Sequence, residues 1–189
     1  MINHEVINNA STMMLRNCTR EEFQSAITDD RSDQFAKTFV AKANMQQIWD
    51  QCIGAYSADG ELMGAIIVTI SKRLPKIANL QLLHTFTQHR RKGVAAALVR
   101  NTYHQVAEEG AVYYRVSSEP EAVPFYTSLG IGFWGLQKSG CSLSIFRISG
   151  EIHEGVYDDN DPIIRKALYS GRKGSLASSL ISSSQPSLF

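Results

Sequence analysis

The residues best suited to chemistry lie in His84-Thr85-Phe86-Thr87-Gln88-His89-Arg90-Arg91-Lys92-Gly93-Val94-Ala95, where an apolar segment enters a basic, glycine-containing turn. Leu80, Leu82 and Leu83 precede the turn. After it, Ala95, Leu98, Val99, Thr102, Tyr103 and Val106 recur at helical spacing. A helix starting near Gly93 turns its unpaired N–H groups and positive dipole end back on the turn, where Arg90, Arg91 and Lys92 add full charges. That combination suits an anion such as a pyrophosphate. Gly93 is expected to let the backbone amides close on it, because glycine has no β-carbon.

A second cluster follows about thirty residues on: Ala122, Phe125, Tyr126, Leu129, Gly130 and Ile131. Arg90-x-x-Gly93-x-Ala95 resembles the R/Q-x-x-G-x-G/A signature of the GNAT superfamily of acyl-CoA-dependent N-acyltransferases. The second cluster resembles that family's A-x-x-F-Y-x-x-L-G-F segment, in the right order and at the right separation. The resemblance covers residues 10–150. Each motif alone has a plain reading, a solvated basic loop and a pair of core aromatics.

The resemblance implies an α/β (α+β) fold with a mixed sheet of about seven strands and helices on both faces. It also implies acetyl-CoA as co-substrate, with an acetyl group moved to a primary amine of a small molecule or protein by direct attack in a ternary complex. Thr85, Phe86, Thr87, Arg90, Arg91, Lys92, Gly93, Val94, Ala95 and Phe125 would then contact the cofactor. Tyr126 aligns with the family tyrosine that protonates the departing thiolate; otherwise it is a packed aromatic with a hydrogen-bonded hydroxyl.

The base is open. Where many relatives carry a glutamate on the fourth strand, this chain has Gln81 and His84. His84 is a candidate because imidazole titrates near neutrality, and an ordinary strand histidine is the alternative. Glu119 is a third candidate, or a solvated loop carboxylate. Cys141 has no evident histidine partner. No metal ligand set is expected.

Composition sets the bounds. A chain of 189 residues holds one domain and an appendage, here expected as residues 1–150 and 151–189. A net charge of +1 excludes a strongly basic nucleic-acid binder by composition alone, leaving direct nucleic-acid contact open. Cys18, Cys52 and Cys141 lack framework or zinc spacing and read as reduced thiols. With neither a signal-like start nor a spanning apolar run, a cytoplasmic location is expected and no membrane partner.

The elements that would position the motifs are legible in order. Met13-Met14-Leu15 lies in the first expected strand; Thr19-x-x-Glu22 predicts a capping box opening a helix to about Ile27. Residues 32–50 read as a second helix. Cys52 to Tyr56 and Leu62 to Ile70 read as strands joined through Asp59-Gly60. A central strand over residues 77–85 leads to the turn and a helix ended at Gly110. Residues 111–116 make the next strand, Pro124 lies in the first turn of the Tyr126 helix, and residues 131–137 and 141–148 form a closing hairpin.

Beyond Gly150, Asp161-Pro162 reads as the start of a helix ending near Gly171, and a serine-rich tail expected to be flexible follows. Its end, Gln185-Pro186-Ser187-Leu188-Phe189, resembles the Q-L-S/D-L-F peptide with which bacterial DNA-processing proteins dock on the replication sliding clamp, with Pro186 in place of leucine. Residues 115–148 also resemble GNAT-like proteins of tailed phages. Alternative functions are therefore a clamp-tethered acyltransferase of DNA bases, a non-catalytic CoA-binding module, and a clamp-binding adaptor.

Overall fold

The computed structural model describes residues 4–8, 11–27 and 34–169, so the Gln185, Ser187, Leu188 and Phe189 motif lies outside the described residues. The described chain forms two compact units. One combines the described residues before 70 with Leu80–Thr102; the other combines Ile70–Asn79 with the described residues from Tyr103 on.

In the first unit the strands run in the order β1 (His4–Asn8), β2 (Ser11–Asn17), β3 (Cys52–Tyr56), β4 (Leu62–Ile70) and β5 (Ile77–Thr85). The β1–β2, β2–β3 and β3–β4 pairs are antiparallel. Strand β1 is one more than the sequence reading expected; it pairs with β2 from His4 opposite Leu15 to Asn8 opposite Ser11. The hairpin strands β3 and β4 fall where expected, and Gly60 supplies the positive φ of 83° that their turn requires.

Helix α1 (Arg20–Ser25) opens on the expected capping box: the Glu22 N–H donates to Thr19 Oγ1 at 3.2 Å, and the Thr19 N–H to Glu22 Oε2 at 2.8 Å. Glu22 also accepts from the Tyr56 hydroxyl at 3.1 Å and pairs with Arg16 at 2.8 Å. The Arg16 guanidinium, which lies 3.7 Å from the centre of the Tyr56 ring, holds the Glu22 carboxyl down at about 2.

Helix α2 (Gln34–Gln46) stops short of the expected residue 50. Gln47 turns left-handed at φ 55°, and the Ile48 N–H returns to the Ala43 carbonyl at 3.2 Å, closing the helix before the 3-10 turn Trp49–Gln51. Phe23 of α1 stacks on Phe39 of α2 with ring centres 4.5 Å apart, and both are fully buried.

Helix α3 (Val94–Glu108) begins in the first unit and ends in the second, where Gly110 takes φ 84°. There β6 (Tyr113–Ser118) follows the start of β5 in the sheet; then come β8 (Ser142–Arg147) and the two-residue β7 (Gly135–Leu136). Strand β6 starts two residues later than expected, because the Ala111 N–H still caps α3 at the Val106 carbonyl. The expected closing hairpin is reduced to two residue pairs, Gly135 with Leu143 and Leu136 with Ser142. Before it the Trp134 N–H donates to the Leu143 carbonyl and its indole to the Ile145 carbonyl, each at 2.8 Å, and the Gly132 N–H goes to the Tyr157 hydroxyl. A 3-10 turn, Pro120–Ala122, leads into α4 (Val123–Ser128), with Pro124 in its first turn as expected.

Helix α5 (Pro162–Tyr169) starts at the expected Asp161-Pro162, and its Ile164 and Leu168 are buried with Tyr113, Trp134, Leu143 and Ile145. Asp161 ties it down. One carboxylate oxygen accepts the Ile163 and Ile164 N–H groups at 2.8 and 3.3 Å; the other accepts the Tyr113 hydroxyl and Arg147, each at 2.8 Å. Burial alone would push this carboxyl up, but the four donors outweigh it and hold it at about 2. Among the described residues, no helix is long and apolar enough to cross a membrane.

Asp161→Ala should therefore destabilise the fold by about 2–3 kcal/mol in urea titration, through a lost cap and an unpaired Tyr113 hydroxyl. Because the carboxyl is depressed in the folded state, the advantage of wild type over Asp161→Asn is full above the ordinary value of 3.8 and shrinks as pH falls towards 2.

Candidate active site

The end of β5, the basic turn and the start of α3 all belong to the first unit. At Gly64 of β4 a β-carbon would lie 2.6 Å from the His84 carbonyl oxygen, 3.1 Å from Val94 Cγ1 and 3.2 Å from Thr85 Cα. This glycine lets β5 and the first residue of α3 come close to β4. Beside it, the Phe86 N–H donates to the Met63 carbonyl at 3.0 Å. The sequence reading passed over Gly64; a glycine inside an otherwise apolar strand is the signal that marks it.

Beyond Phe86 the chain makes a 3-10 turn, Thr87–His89, and Arg90 Nε reaches back to the Thr85 carbonyl at 3.3 Å. Arg91 and Gly93 then take φ values of 62° and 78°. The Gly93 carbonyl accepts the Ala97 N–H at 3.0 Å, so Gly93 is the residue that opens α3. The N–H groups of Val94, Ala95 and Ala96 thus have no acceptor within the helix. Val94 is buried, whereas Arg90, Arg91, Lys92 and Gly93 are exposed.

Three cations and a set of helix N–H groups at an open helix start fit a pyrophosphate. The backbone itself makes a further demand at Gly93. No protein atom lies within 4 Å of where its β-carbon would stand, and the left-handed φ is what demands glycine.

His84, on β5, is 4% exposed. Its ring meets Phe86 edge-on at 4.9 Å and Phe23 at 6.0 Å, and Phe35 of α2 stacks on it at 6.2 Å. Phe35 itself is 45% exposed. Gln81 donates its amide to Thr69 Oγ1 at 2.9 Å.

Phe125, Tyr126 and Glu119 belong to the second unit. Tyr126 is 6% exposed, its ring 4.9 Å from Phe125 and 6.2 Å from Phe133. Burial pushes its hydroxyl well above the ordinary tyrosine value, so the group keeps its proton at neutral pH. Glu119 is exposed at the end of β6, with one carboxylate oxygen 3.6 Å from Cys141 Sγ. Cys141 thus has a carboxylate beside it, and next to this pair Ser117 donates to Gln137 at 2.8 Å.

The acetyltransferase (GNAT) domain model matches residues 15–138. Comparison with curated proteins gives no match. Among solved structures, the chain is similar to Ard1 from Thermoplasma volcanium, with TM-score 0.56, 18% identity, and coverage of 73% of this chain and 99% of that one. It is also similar to the GNAT family N-acetyltransferase YhbS from Escherichia coli in complex with CoA (TM-score 0.56, 14% identity, 82% and 94% covered). The paia N-acetyltransferase from Thermoplasma acidophilum in complex with coenzyme A has TM-score 0.55 and 13% identity, with 72% and 99% covered. At these identities the structures establish the fold. With the domain model spanning both the basic turn and Tyr126, the chain belongs to the GNAT acetyltransferase family.

Proposed function

We propose that the protein transfers the acetyl group of acetyl-CoA to a primary amine of a small molecule or protein by direct attack. The observation that carries this is the left-handed turn at Arg91 and Gly93, which opens the first turn of α3 beside three exposed cations. On this reading the N–H groups of residues 93–95 and the side chains of Arg90, Arg91 and Lys92 hold the pyrophosphate. Thr85 and Thr87 line the path of the pantetheine arm with the buried Phe86 behind them, and main-chain amides near Thr85 polarise the acyl carbonyl. Phe125 packs beside the cofactor.

The amine nitrogen forms its bond to the carbonyl carbon, the C–S bond breaks, and the thiolate takes a proton from the Tyr126 hydroxyl. The amine gives its proton to a base. His84 is the first candidate, since it stands next to Thr85, and Glu119 is the second. Residues 1–150 form the catalytic domain on this reading and residues 151–189 an extension. At its end, Gln185, Ser187, Leu188 and Phe189 are proposed to dock on a sliding clamp.

Calorimetry should find acetyl-CoA bound by wild type, and at least a hundredfold weaker by Gly93→Asp, since the variant strains a left-handed position and sets a negative charge against the phosphates. Equal affinity would move the donor site elsewhere. Tyr126→Phe should lower kcat about a hundredfold with little change in acetyl-CoA affinity, and His84→Ala should remove the acidic limb of the pH–rate profile. An unchanged rate, or an unaltered limb, removes the respective role. Deleting residues 185–189 should abolish capture by an immobilised clamp while leaving acetyl-CoA binding intact; unchanged capture rejects the docking motif.

A further inference from the structure

The turn proposed to hold the pyrophosphate has an unusual shape and few internal ties. Arg91 is a non-glycine residue at φ 62°, a conformation that costs about 1–2 kcal/mol unless its surroundings impose it. The ties within the turn are the His89 N–H to the Phe86 carbonyl at 2.9 Å, the Arg90 N–H to the Thr87 carbonyl at 3.3 Å and Arg90 Nε to the Thr85 carbonyl at 3.3 Å. Its cationic residues Arg90, Arg91 and Lys92 are exposed, and Arg90 alone of them is tied back to β5.

One member of the turn does the opposite. His89 is 6% exposed, and its Nε2 lies 3.0 Å from Oε1 of Glu61. Glu61 is well placed to hold something still. It ends the turn between β3 and β4, where its N–H donates to Ser57 Oγ at 3.1 Å and its carbonyl accepts the Ser57 N–H at 2.9 Å. The Gly60 N–H closes the same turn on the Ser57 carbonyl at 3.0 Å. The carboxylate therefore stands on a fixed hairpin end. His89 draws the Glu61 carboxyl below the ordinary carboxylate range, helped by the Gln88 amide and the charge of Lys92.

We propose that Glu61 and His89 form a positioning pair: the β3–β4 hairpin end holds the basic turn in its donor-binding shape through the His89 imidazole. This rests on the reading of residues 90–93 as the donor site. The charged groups identified around the pair are Glu61 on the hairpin and Lys92 on the turn, the latter acting on the same carboxylate. Without the Glu61 charge the turn samples other shapes, and acetyl-CoA must reorder it on binding. Neither residue needs to meet the reacting atoms, so the cost falls on donor affinity and spares the chemical step.

The test measures acetyl-CoA Kd by calorimetry, with kcat and KM, for wild type, Glu61→Gln, His89→Gln and the double variant. Because Glu61 is exposed, Glu61→Gln is the primary variant and should melt with wild type. At pH 6 it should raise Kd and KM for acetyl-CoA about fivefold and leave kcat within about twofold. The double variant should bind no more weakly than His89→Gln alone, because the two act through one contact. Wild-type affinity in Glu61→Gln at pH 6, or losses that multiply in the double variant, would overturn the pairing. If wild type binds but Gly93→Asp does not, while Glu61→Gln is unaffected, the donor site stands and this proposal alone fails. A wild type that binds no acetyl-CoA overturns both.

Discussion

The first unit depends on the close approach of β4 to β5 at Gly64. A β-carbon there would run into the His84 carbonyl and crowd Val94, so its absence sets how tightly the end of β5 and the start of α3 seat on β4. Phe86 is fully buried at one end of the turn and Val94 is 1% exposed at the other. The residues between them must close a loop over a short, pinned span. The left-handed φ values at Arg91 and Gly93 are how the chain does so, and they bring the first N–H groups of α3 to the surface beside three cations. The exposure of these N–H groups beside the cations is thus a consequence of how the ends of the turn are buried.

The same unit shows how a small polar cluster can orient an apolar one. Glu22 closes the cap of α1 and also receives Arg16 from β2 and Tyr56 from β3. Its contacts set the direction in which α1 leaves the sheet and thereby bring Phe23 against Phe39, Phe86 and His84. An exposed pair such as Arg16 with Glu22 contributes little by itself. Its effect here is directional, since one carboxylate joins three elements. Asp161 plays the equivalent part in the second unit, where a single carboxylate caps α5 and ties it to β6 and β8.

What could be read from the sequence follows from how local each determinant is. The capping box, the Asp59-Gly60 hairpin, the strand before the turn and the Asp161-Pro162 helix start are each specified within a few residues, and each stands where the sequence put it. The missed features carry no such short signal. Strand β1 exists by pairing with β2, α2 ends where Gln47 turns left-handed, and the closing hairpin keeps only the pairs Gly135 with Leu143 and Leu136 with Ser142. At the candidate site, the place of the basic turn before α3 was legible because a glycine and the periodicity that follows it are local signals. Gly64 and the Glu61–His89 contact were not, for they act across the sheet on residues far away in sequence.

The contrast between the turn and His84 carries the argument one step further. A phosphate site made from helix N–H groups needs a backbone shape, one glycine and some nearby cations, so a short pattern suffices to write it. A base needs an environment, and that environment is assembled from separate elements. The ring of His84 is enclosed by Phe86 from its own strand, Phe23 from α1 and Phe35 from α2. Of these, Phe35 is the one left half open to solvent, stacked on the imidazole face. Any group that approached His84 over that side would meet Phe35 first. Access to the imidazole is therefore tied to the position of α2, an element whose own sequence bears no catalytic signature.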